Sequence, residues 1–263
     1  MNAWLPAMLG DPAVLIAALV AVLLVGLSKG GLGGAFALMG VPVLALVMPP
    51  VQAAALLLPI LLMMDAVSLW AWRGWWNGAV LRALLPAALL GIGLGWLAAA
   101  VTSEAAVRLI VGLVALGFVA RMALERWRPA RASALEPSAW RRFKGWFWGT
   151  LAGFTSFVAH AGGPPFQVYT LPLRLDPRVY TGTSVVFFAV VNAVKLLPYA
   201  ALGLFDAALM GAALVMAPLA VVAVLMGAAL VRRMRPAIFY PFMYVMVALV
   251  GLKLVHDGLR DLL

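Results

Sequence analysis

The sequence has no cysteine, only two histidines and few charged residues, which make up 11% of its 263 positions. The absence of cysteine excludes disulfides, thiolate metal ligands and cysteine redox chemistry. Two histidines offer little for a transition-metal site, so we expect no metal and no cofactor. Soluble domains carry about 25% charged residues, and the shortage of charge therefore indicates that most of this chain does not face water.

Long apolar runs take up most of the chain. Hydrophobic residues make up 66% of it, against about 45–50% in soluble domains. The runs are continuous and lack the ten-residue alternation of a membrane β-barrel. We therefore predict an all-α integral membrane protein. The apolar segments are 13–28, 34–48, 51–72, 79–100, 104–124, 145–159, 163–174, 178–201, 207–231 and 236–256.

These ten segments differ in length. A helix needs about 20 apolar residues to cross a bilayer, and the third, fourth and fifth segments of each half are long enough. The first two segments of each half are shorter, so we predict half-helices or the arms of re-entrant hairpins there. The sequence therefore predicts a helical bundle of about eight transmembrane crossings with two broken or re-entrant segments.

A glycine run interrupts the first apolar region, where residues 26–34 read GLSKGGLGG. Each glycine costs a helix about 1 kcal/mol relative to alanine, so the backbone is expected to open here. The opening leaves Lys29 between two apolar segments, where a buried cation usually faces a cavity, a partner or a substrate. Snorkelling of Lys29 to the cytoplasmic face is the alternative.

A second break lies at the matching place of the second half, where residues 153–165 read GFTSFVAHAGGPP. Two broken segments at matching positions in two halves are the best sequence indication of a transporter binding site. His160 lies in this break, and its side chain is able to hydrogen-bond an oxyanion or to relay a proton. A histidine at an external loop surface is the alternative.

The two halves also match in residue spacing. An odd number of segments in each half makes the two copies point in opposite directions across the membrane. We therefore predict two inverted repeats, at 1–125 and 145–263, joined by a basic cytoplasmic linker at 126–144. An offset of 127 pairs Gly26 with Gly153, Ser28 with Thr155, Pro50 with Pro177, and Asp65 with Asn192; an offset of 132 pairs Pro86 with Pro218 and Gly95 with Gly227.

Basic residues indicate the orientation. The formal charge is +10, and seven of the 19 basic residues lie between positions 121 and 144. This clustering favours a cytoplasmic loop that follows the positive-inside rule over a nucleic-acid-binding surface, so we expect no nucleic-acid partner. Alternation places three further basic loops on the same side, and these contain Arg73, Arg82, Arg174, Arg178, Arg232, Arg233 and Arg235.

The two breaks supply the candidate binding residues. Lys29 would neutralise an anionic substrate, helped by the open backbone N–H groups of the glycine run. Hydroxyl groups near both breaks could contact the same anion, and helix capping or hydrogen bonding to the carbonyl four residues earlier is equally open for them. The predicted binding set is Lys29, Ser28, Gly30, Gly31, Gly33, His160, Thr155, Ser156, Gly162, Gly163, Gln167 and Asn192.

Two ionisable residues lie inside later segments. Asp65 is able to pair with Lys29, to bind a coupling proton or to cap a structural network. Lys195 lies one helical turn after Asn192 on the same helix face, and snorkelling towards the external end of its helix is the alternative. We assign Asp65 and Lys195 to coupling.

Two further patterns have structural interpretations. Gly91 and Gly95, four residues apart, are typical of a helix-packing pair. Four tryptophans lie at a predicted membrane edge, where an aromatic belt is expected, namely Trp70, Trp72, Trp75 and Trp76.

Together these features resemble the TauE/SafE, or TSUP, family of sulfite exporter membrane permeases. The resemblance rests on the two breaks, on the two-fold repeat and on the run YTGTS at 180–184 with Asn192 downstream, and it extends from about residue 26 to about residue 253. It implies a bacterial inner-membrane carrier, a multi-pass protein that exports or exchanges sulfite, sulfoacetate or other organosulfonates.

The sequence thus predicts a secondary transporter and not an enzyme, with the anion between the two breaks and alternating access to it. No nucleotide-binding motif is present, so we expect coupling to protons, carried by Asp65 or His160, or to the gradient of the anion itself. The expected partners are a small anion and the lipid bilayer, and a homodimer is one open assembly state. The alternatives are a cation carrier centred on Asp65, an intramembrane enzyme and a non-transporting membrane subunit.

Overall fold

The computed structural model describes residues 11–32, 34–37, 39–48, 50–98, 102–126, 138–159, 161–201 and 207–262. Of these residues 90% lie in helices and none lies in a strand. The first half of the chain contains α1 (Pro12–Leu27), α2 (Gly34–Ala37), α3 (Gly40–Ala45), α4 (Pro50–Ala71), α5 (Gly78–Ala98) and α6 (Glu104–Arg126). The second half contains α7 (Ser138–Ala159), α8 (Gly163–Thr170), α9 (Pro177–Ala201), α10 (Ala207–Arg233) and α11 (Pro236–Leu262).

Among the described residues, six helical stretches are long and apolar enough to cross a membrane. A helix satisfies its own backbone hydrogen bonds, which lipid cannot do. The chain is therefore a multi-pass helical membrane protein, as its composition predicts. The six stretches are Pro12–Leu32, Gly78–Ala98, Glu104–Leu124, Pro177–Leu197, Leu214–Arg233 and Pro236–Leu262.

The first segment of each half is longer than predicted. Pro12–Leu32 is a helical stretch of 21 residues, in which α1 ends at Leu27 and the glycine run follows it with a kink at Gly31. In the second half, α7 begins at Ser138 and has 22 residues, since a basic and aromatic stretch of the kind found at membrane interfaces precedes its apolar part. Both first segments are thus longer than predicted, but α7 is not among the six membrane-length stretches, and the broken or re-entrant segments stay a prediction.

The glycine run itself opens the backbone, as predicted. Ser28–Leu32 form a single π turn that is kinked at Gly31, whose φ 130° and ψ 1° are not helical. Only glycine adopts this conformation without strain. The second segment of each half is also short, as predicted: α2 and α3 have 4 and 6 residues, and α8 has 8 residues before a 3-10 turn at Leu171–Leu173.

Side-chain caps explain where two of the long helices begin. Asp11 accepts the N–H of Ala13 at 2.8 Å immediately before α1. Asn77 accepts the N–H groups of Ala79 and Val80 at 3.0 and 3.1 Å at the start of α5. These oxygens satisfy helix N–H groups that have no partner within the helix.

The helices group into two compact units, and each unit draws helices from both halves of the chain. Unit 1 consists of Met1–Trp76 and Pro177–Pro236, and unit 2 consists of Asn77–Asp176 and Ala237–Leu263. Unit 1 therefore holds α1 to α4, α9 and α10, whereas unit 2 holds α5 to α8 and α11. The compact units and the predicted sequence repeats are different divisions of the same chain.

In unit 1, α1 and the π turn cross α10 at close range. A Cβ added at Gly227 would lie 2.5 Å from the Leu27 carbonyl oxygen and 3.0 Å from the Gly30 Cα. A Cβ added at Gly26 would lie 3.4 Å from the Ala220 carbonyl oxygen. Small residues on both helices therefore permit this approach, as is usual for helices that pack in membranes.

Unit 2 contains the corresponding crossing of α7 with α5. A Cβ added at Gly95 would lie 3.3 Å from the Phe154 carbonyl oxygen and 3.2 Å from the Phe157 Cβ. A Cβ added at Gly153 would overlap the Ala88 carbonyl group. The offsets of 127 and 132 convert each of these five positions into its counterpart in the unit 1 crossing. The first segment of each half thus packs on the fourth segment of the other half through equivalent positions.

Gly91 and Gly93 offer a matched test of this packing, because they lie two residues apart on α5. A Cβ at Gly91 would overlap the Thr150 carbonyl group of α7, whereas nothing lies within 4 Å of a Cβ at Gly93. We expect Gly91→Ala to lower the free energy of unfolding in detergent by about 1–3 kcal/mol through overpacking. Gly93→Ala should leave it unchanged or raise it by up to about 1 kcal/mol. Equal effects of the two substitutions would contradict this packing.

Candidate functional site

Lys29 lies in the π turn and forms a largely buried ion pair. Its Nζ donates a hydrogen bond to Asp65 Oδ1 on α4 at 2.6 Å, and the two side chains are 15% and 9% exposed. Snorkelling therefore does not describe Lys29. Of the roles open to Asp65 from the sequence, pairing with Lys29 is confirmed.

Asn192 on α9 bonds the second oxygen of the same carboxylate. Its Nδ2 donates to Asp65 Oδ2 at 2.8 Å. Both oxygens of Asp65 are thus hydrogen-bonded, as a buried carboxylate requires. Asp65 and Asn192 are also the residues that the offset of 127 relates, so two equivalent positions of the predicted repeats meet each other here.

Lys195 adds a second cation to this network. It is 4% exposed, and its charge interacts with those of Lys29 and Asp65. The snorkelling alternative for Lys195 is therefore wrong. With both lysines protonated the three ionisable groups have a formal charge of +1, and they lie among fully buried apolar residues such as Met64 and Val191.

Two residues that the sequence analysis did not assign to the site hold the broken backbone. Ser68 Oγ donates to the Lys29 carbonyl oxygen at 3.1 Å, and Trp72 Nε1 donates to the Gly30 carbonyl oxygen at 3.0 Å. Trp72 is 1% exposed, so its assignment to an aromatic belt is wrong. The sequence does indicate that Ser68 and Trp72 share a helix face with Asp65, because the three residues have i, i+3, i+7 spacing.

Thr181 on α9 is a further polar residue beside the break. It is 2% exposed, and its Oγ1 has no hydrogen-bond partner among the described residues. A Cβ added at Gly31 would lie 3.5 Å from this oxygen. A buried hydroxyl without a partner costs about 1–3 kcal/mol, which makes Thr181 a candidate donor to a ligand. The YTGTS run was the sequence signal for it.

The hydroxyl residues predicted at the second break lie in unit 2. Thr155 Oγ1 lies 2.8 Å from the Leu151 carbonyl oxygen and 3.2 Å from the Ala161 carbonyl oxygen. The structural alternative, hydrogen bonding to the backbone, therefore describes Thr155. A Cβ added at Gly162 would lie 2.7 Å from the Ser156 Cβ, so these two predicted residues are close neighbours.

The other predicted binding residues belong partly to unit 1 and partly to unit 2. Gln167 on α8 is 5% exposed, and Gly163 is the first residue of that helix. Ser28 caps the C-terminal end of α1 through its backbone N–H. Gly33 and His160 lie outside the described residues.

The chemistry open to the unit 1 network follows from its groups. Ammonium, amide and hydroxyl groups donate hydrogen bonds to an anion, and the Asp65 carboxylate is the resident counter-ion of Lys29. In the part of the chain that the structure describes, no group of three or more His, Cys, Asp or Glu residues is placed to hold a metal ion.

Comparison with known proteins places the chain in a family. The family model described as sulfite exporter TauE/SafE matches residues 18–254, a range that includes the π turn, Asp65, Asn192, Lys195 and the second break. Searches of curated proteins and of solved structures each gave no match. The resemblance predicted from the sequence is thus confirmed, and the chain belongs to the sulfite exporter TauE/SafE family of membrane transporters.

Proposed function

We propose that the protein is a secondary transporter, working as an exporter, of small sulfur-containing anions such as sulfite, sulfoacetate or other organosulfonates. Family membership supports transport of this class. The observation that carries the proposal is the buried network of Lys29, Asp65 and Asn192 with Lys195 beside it. In this proposal Lys29 binds the anion, while Asp65 and Lys195 couple its movement to that of a proton.

In this proposal Asp65 is the counter-ion of Lys29 whenever no substrate anion is bound. An ammonium group left without a counter-ion inside the membrane costs several kcal/mol. A carrier that has released its anion therefore needs another negative charge for Lys29, and Asp65 at 2.6 Å supplies it. Binding of the substrate then exchanges one counter-ion for another. A proton taken up by the displaced Asp65 carboxylate would couple the anion to a proton gradient.

The proposal includes inverted repeats at 1–125 and 145–263, with about eight crossings in total and a cytoplasmic linker. The equivalent helix crossings in the two units support it, as does the hydrogen bond between Asp65 and its counterpart Asn192. Equivalent positions of a two-fold arrangement meet only near the axis. In transporters built this way, the repeats rock around a substrate held near the membrane midplane. The bacterial inner membrane is the location that this family membership favours.

A cation carrier centred on Asp65 is disfavoured by the same geometry. Both oxygens of the carboxylate already accept hydrogen bonds, from Lys29 and from Asn192. A cation bound there would also lie close to the positive charges of Lys29 and Lys195, and like charges repel strongly away from water.

The test of the proposed site is Lys29→Ala, assayed as anion flux in proteoliposomes with sulfite, sulfoacetate, taurine, acetate and sulfate. We expect flux of the transported anion to fall by roughly a hundredfold or more, because the substrate loses the charge that offsets its desolvation. Asp65 keeps the hydrogen bond from Asn192, but its carboxylate loses its buried counter-ion at a cost of about 3–5 kcal/mol, so thermal unfolding in detergent checks that the variant is folded before flux is measured.

Lys253→Ala is the matched control. Lys253 forms an ion pair with Asp257 at 2.6 Å, and these side chains are 23% and 29% exposed. We expect this variant to transport like the wild type. Wild-type flux in Lys29→Ala would refute the site. Equal loss in both lysine variants would also contradict it, because the loss would then not depend on the buried network.

A further inference from the structure

A second group of basic residues surrounds a cavity of about 390 Å³ at the C-terminal end of α4 in unit 1. The cavity lies at the end of unit 1 that the basic loops predict to be cytoplasmic. Its volume is within the range of about 300–1,000 Å³ that is usual for small-molecule sites. The lining residues are Trp70, Ala71, Arg73, Trp75, Arg178 and Arg232.

Each arginine of this cavity lies against a tryptophan. The guanidinium carbon of Arg73 lies 4.8 Å from the ring centre of Trp70, and that of Arg178 lies 5.2 Å from the ring centre of Trp75. Arg232 lies 5.2 Å from the ring centre of the buried Trp72. Stacking on aromatic rings limits the orientations of a guanidinium group, so three planar cations are held around one cavity.

The arginines also bond backbone carbonyls at helix ends. Arg73 donates to the Trp70 carbonyl oxygen at 3.1 Å, Arg178 donates to the Arg232 carbonyl oxygen at 3.2 Å, and Arg232 donates to the Ala71 carbonyl oxygen. Such bonds stabilise the C-terminal ends of α4 and α10. For Arg73 and Arg232 they account for one N–H of a guanidinium group that has five.

Arg73 and Arg232 have no carboxylate partner among the described residues. Capping of helix ends therefore leaves two positive charges at the cavity without a counter-ion. Guanidinium groups bind oxyanions through pairs of parallel N–H donors, which fit phosphate, sulfonate and carboxylate groups.

We propose that this cavity is a second anion site, which binds the oxyanion group of a phosphate or sulfonate through Arg73, Arg178 and Arg232. Ala71 follows Asp65 by six residues, which is about 9 Å along a helix axis, so the cavity is separate from the Lys29 network. The same chemistry is offered by a soluble anion and by the phosphate of an anionic lipid, and the exposed rings of Trp70 and Trp75 suit either source. The proposal concerns binding, and it goes beyond the transport proposed above.

The test uses purified full-length protein in an uncharged detergent without lipid. To exclude the deeper site without leaving a buried charge unpaired, all variants carry Lys29→Met together with Asp65→Leu, and thermal stability is measured against inorganic phosphate and ethanesulfonate. A ligand that binds only the folded state raises the apparent stability. We expect Arg73→Gln to need roughly tenfold more anion than its parent for the same rise in unfolding temperature, because charge-assisted hydrogen bonds are lost. Arg73→Lys should also weaken binding, since it keeps the charge but loses the planar donor pair.

Arg233→Gln is the matched control, because Arg233 is exposed on the same helix end but does not line the cavity. In a second arm, native mass spectrometry counts phosphatidylglycerol and phosphatidylcholine retained by each variant. A phosphatidylglycerol molecule lost with Arg73→Gln but kept with Arg233→Gln supports the site and identifies lipid as the source. A rise in unfolding temperature with phosphate or ethanesulfonate that is weakened by Arg73→Gln but not by Arg233→Gln also supports the site and identifies a soluble ligand. Equal behaviour of Arg73→Gln and Arg233→Gln in both arms would overturn the proposal.

Discussion

Asp65→Leu is expected to lower the free energy of unfolding by about 3–5 kcal/mol, because it leaves the ammonium group of Lys29 buried without a counter-ion. The pair is well suited to this test, since the Nζ to Oδ1 distance is 2.6 Å and neither side chain is more than 15% exposed. The substitution also removes the acceptor of the Asn192 amide. Chemical or thermal unfolding in detergent measures the change.

The double variant with Lys29→Met and Asp65→Leu distinguishes the cost of an unpaired buried charge from the cost of altered packing. If the loss in Asp65→Leu comes from an uncompensated charge, removing both charges should restore most of the stability, because apolar residues often replace buried ion pairs without loss. Anion flux should remain absent in the double variant. Asp257→Leu breaks a more exposed ion pair, with Lys253, and should cost no more than about 1 kcal/mol. Similar losses at Asp65 and Asp257 would contradict the burial argument.

Composition and glycine placement were sufficient to predict much of the fold. The shortage of charge and the continuous apolar runs predict a helical membrane protein. The run at 26–34 predicts an opened backbone, because several adjacent glycines weaken a helix locally. The structure places the opening at Gly31, where φ is positive.

The length of the first segments was harder to predict, because helix ends depend on neighbours as well as on composition. The π turn at Ser28–Leu32 is stabilised despite its glycines, because Ser68 and Trp72 donate hydrogen bonds to its carbonyl oxygens. These donors come from α4, more than 35 residues away in sequence. Local propensity contains no information about such contacts, so the apolar span appeared to end before Leu32.

The sequence predicts which residues belong to the candidate site better than it predicts which of them lie next to each other. Lys29, Asp65, Asn192 and Lys195 were all selected from the sequence, because ionisable and amide groups are rare inside apolar segments. These residues come together in unit 1 because α4 packs near α9. The two helices belong to different halves of the chain, and nothing in the sequence around either helix indicates that they are neighbours. Thr181 was left out of the predicted binding set, and the sequence offers no sign of an unpaired hydroxyl because a threonine inside a helix usually bonds its own backbone.

The last prediction concerns the charge of the network. With both lysines protonated, Asn192→Asp changes the formal charge of Lys29, Lys195 and their acidic partners from +1 to 0. One unit charge at about 5 Å contributes about 3 kcal/mol at an effective dielectric constant near 20. We therefore expect anion binding at neutral pH to weaken by roughly a hundredfold, measured as the ligand concentration needed to stabilise the protein or to half-saturate flux.

Acid should reverse this loss. The new carboxylate would take the place of an amide whose Nδ2 lies 2.8 Å from Asp65 Oδ2, and two carboxylates this close share one proton. Once that proton is bound, the formal charge returns to +1, so binding should recover as the pH falls. Asn192→Ala keeps the formal charge and loses only the amide, and it should bind the anion within a few-fold of the wild type. If Asn192→Ala weakened binding as much as Asn192→Asp, with no recovery in acid, the amide contact and not the charge would control the site.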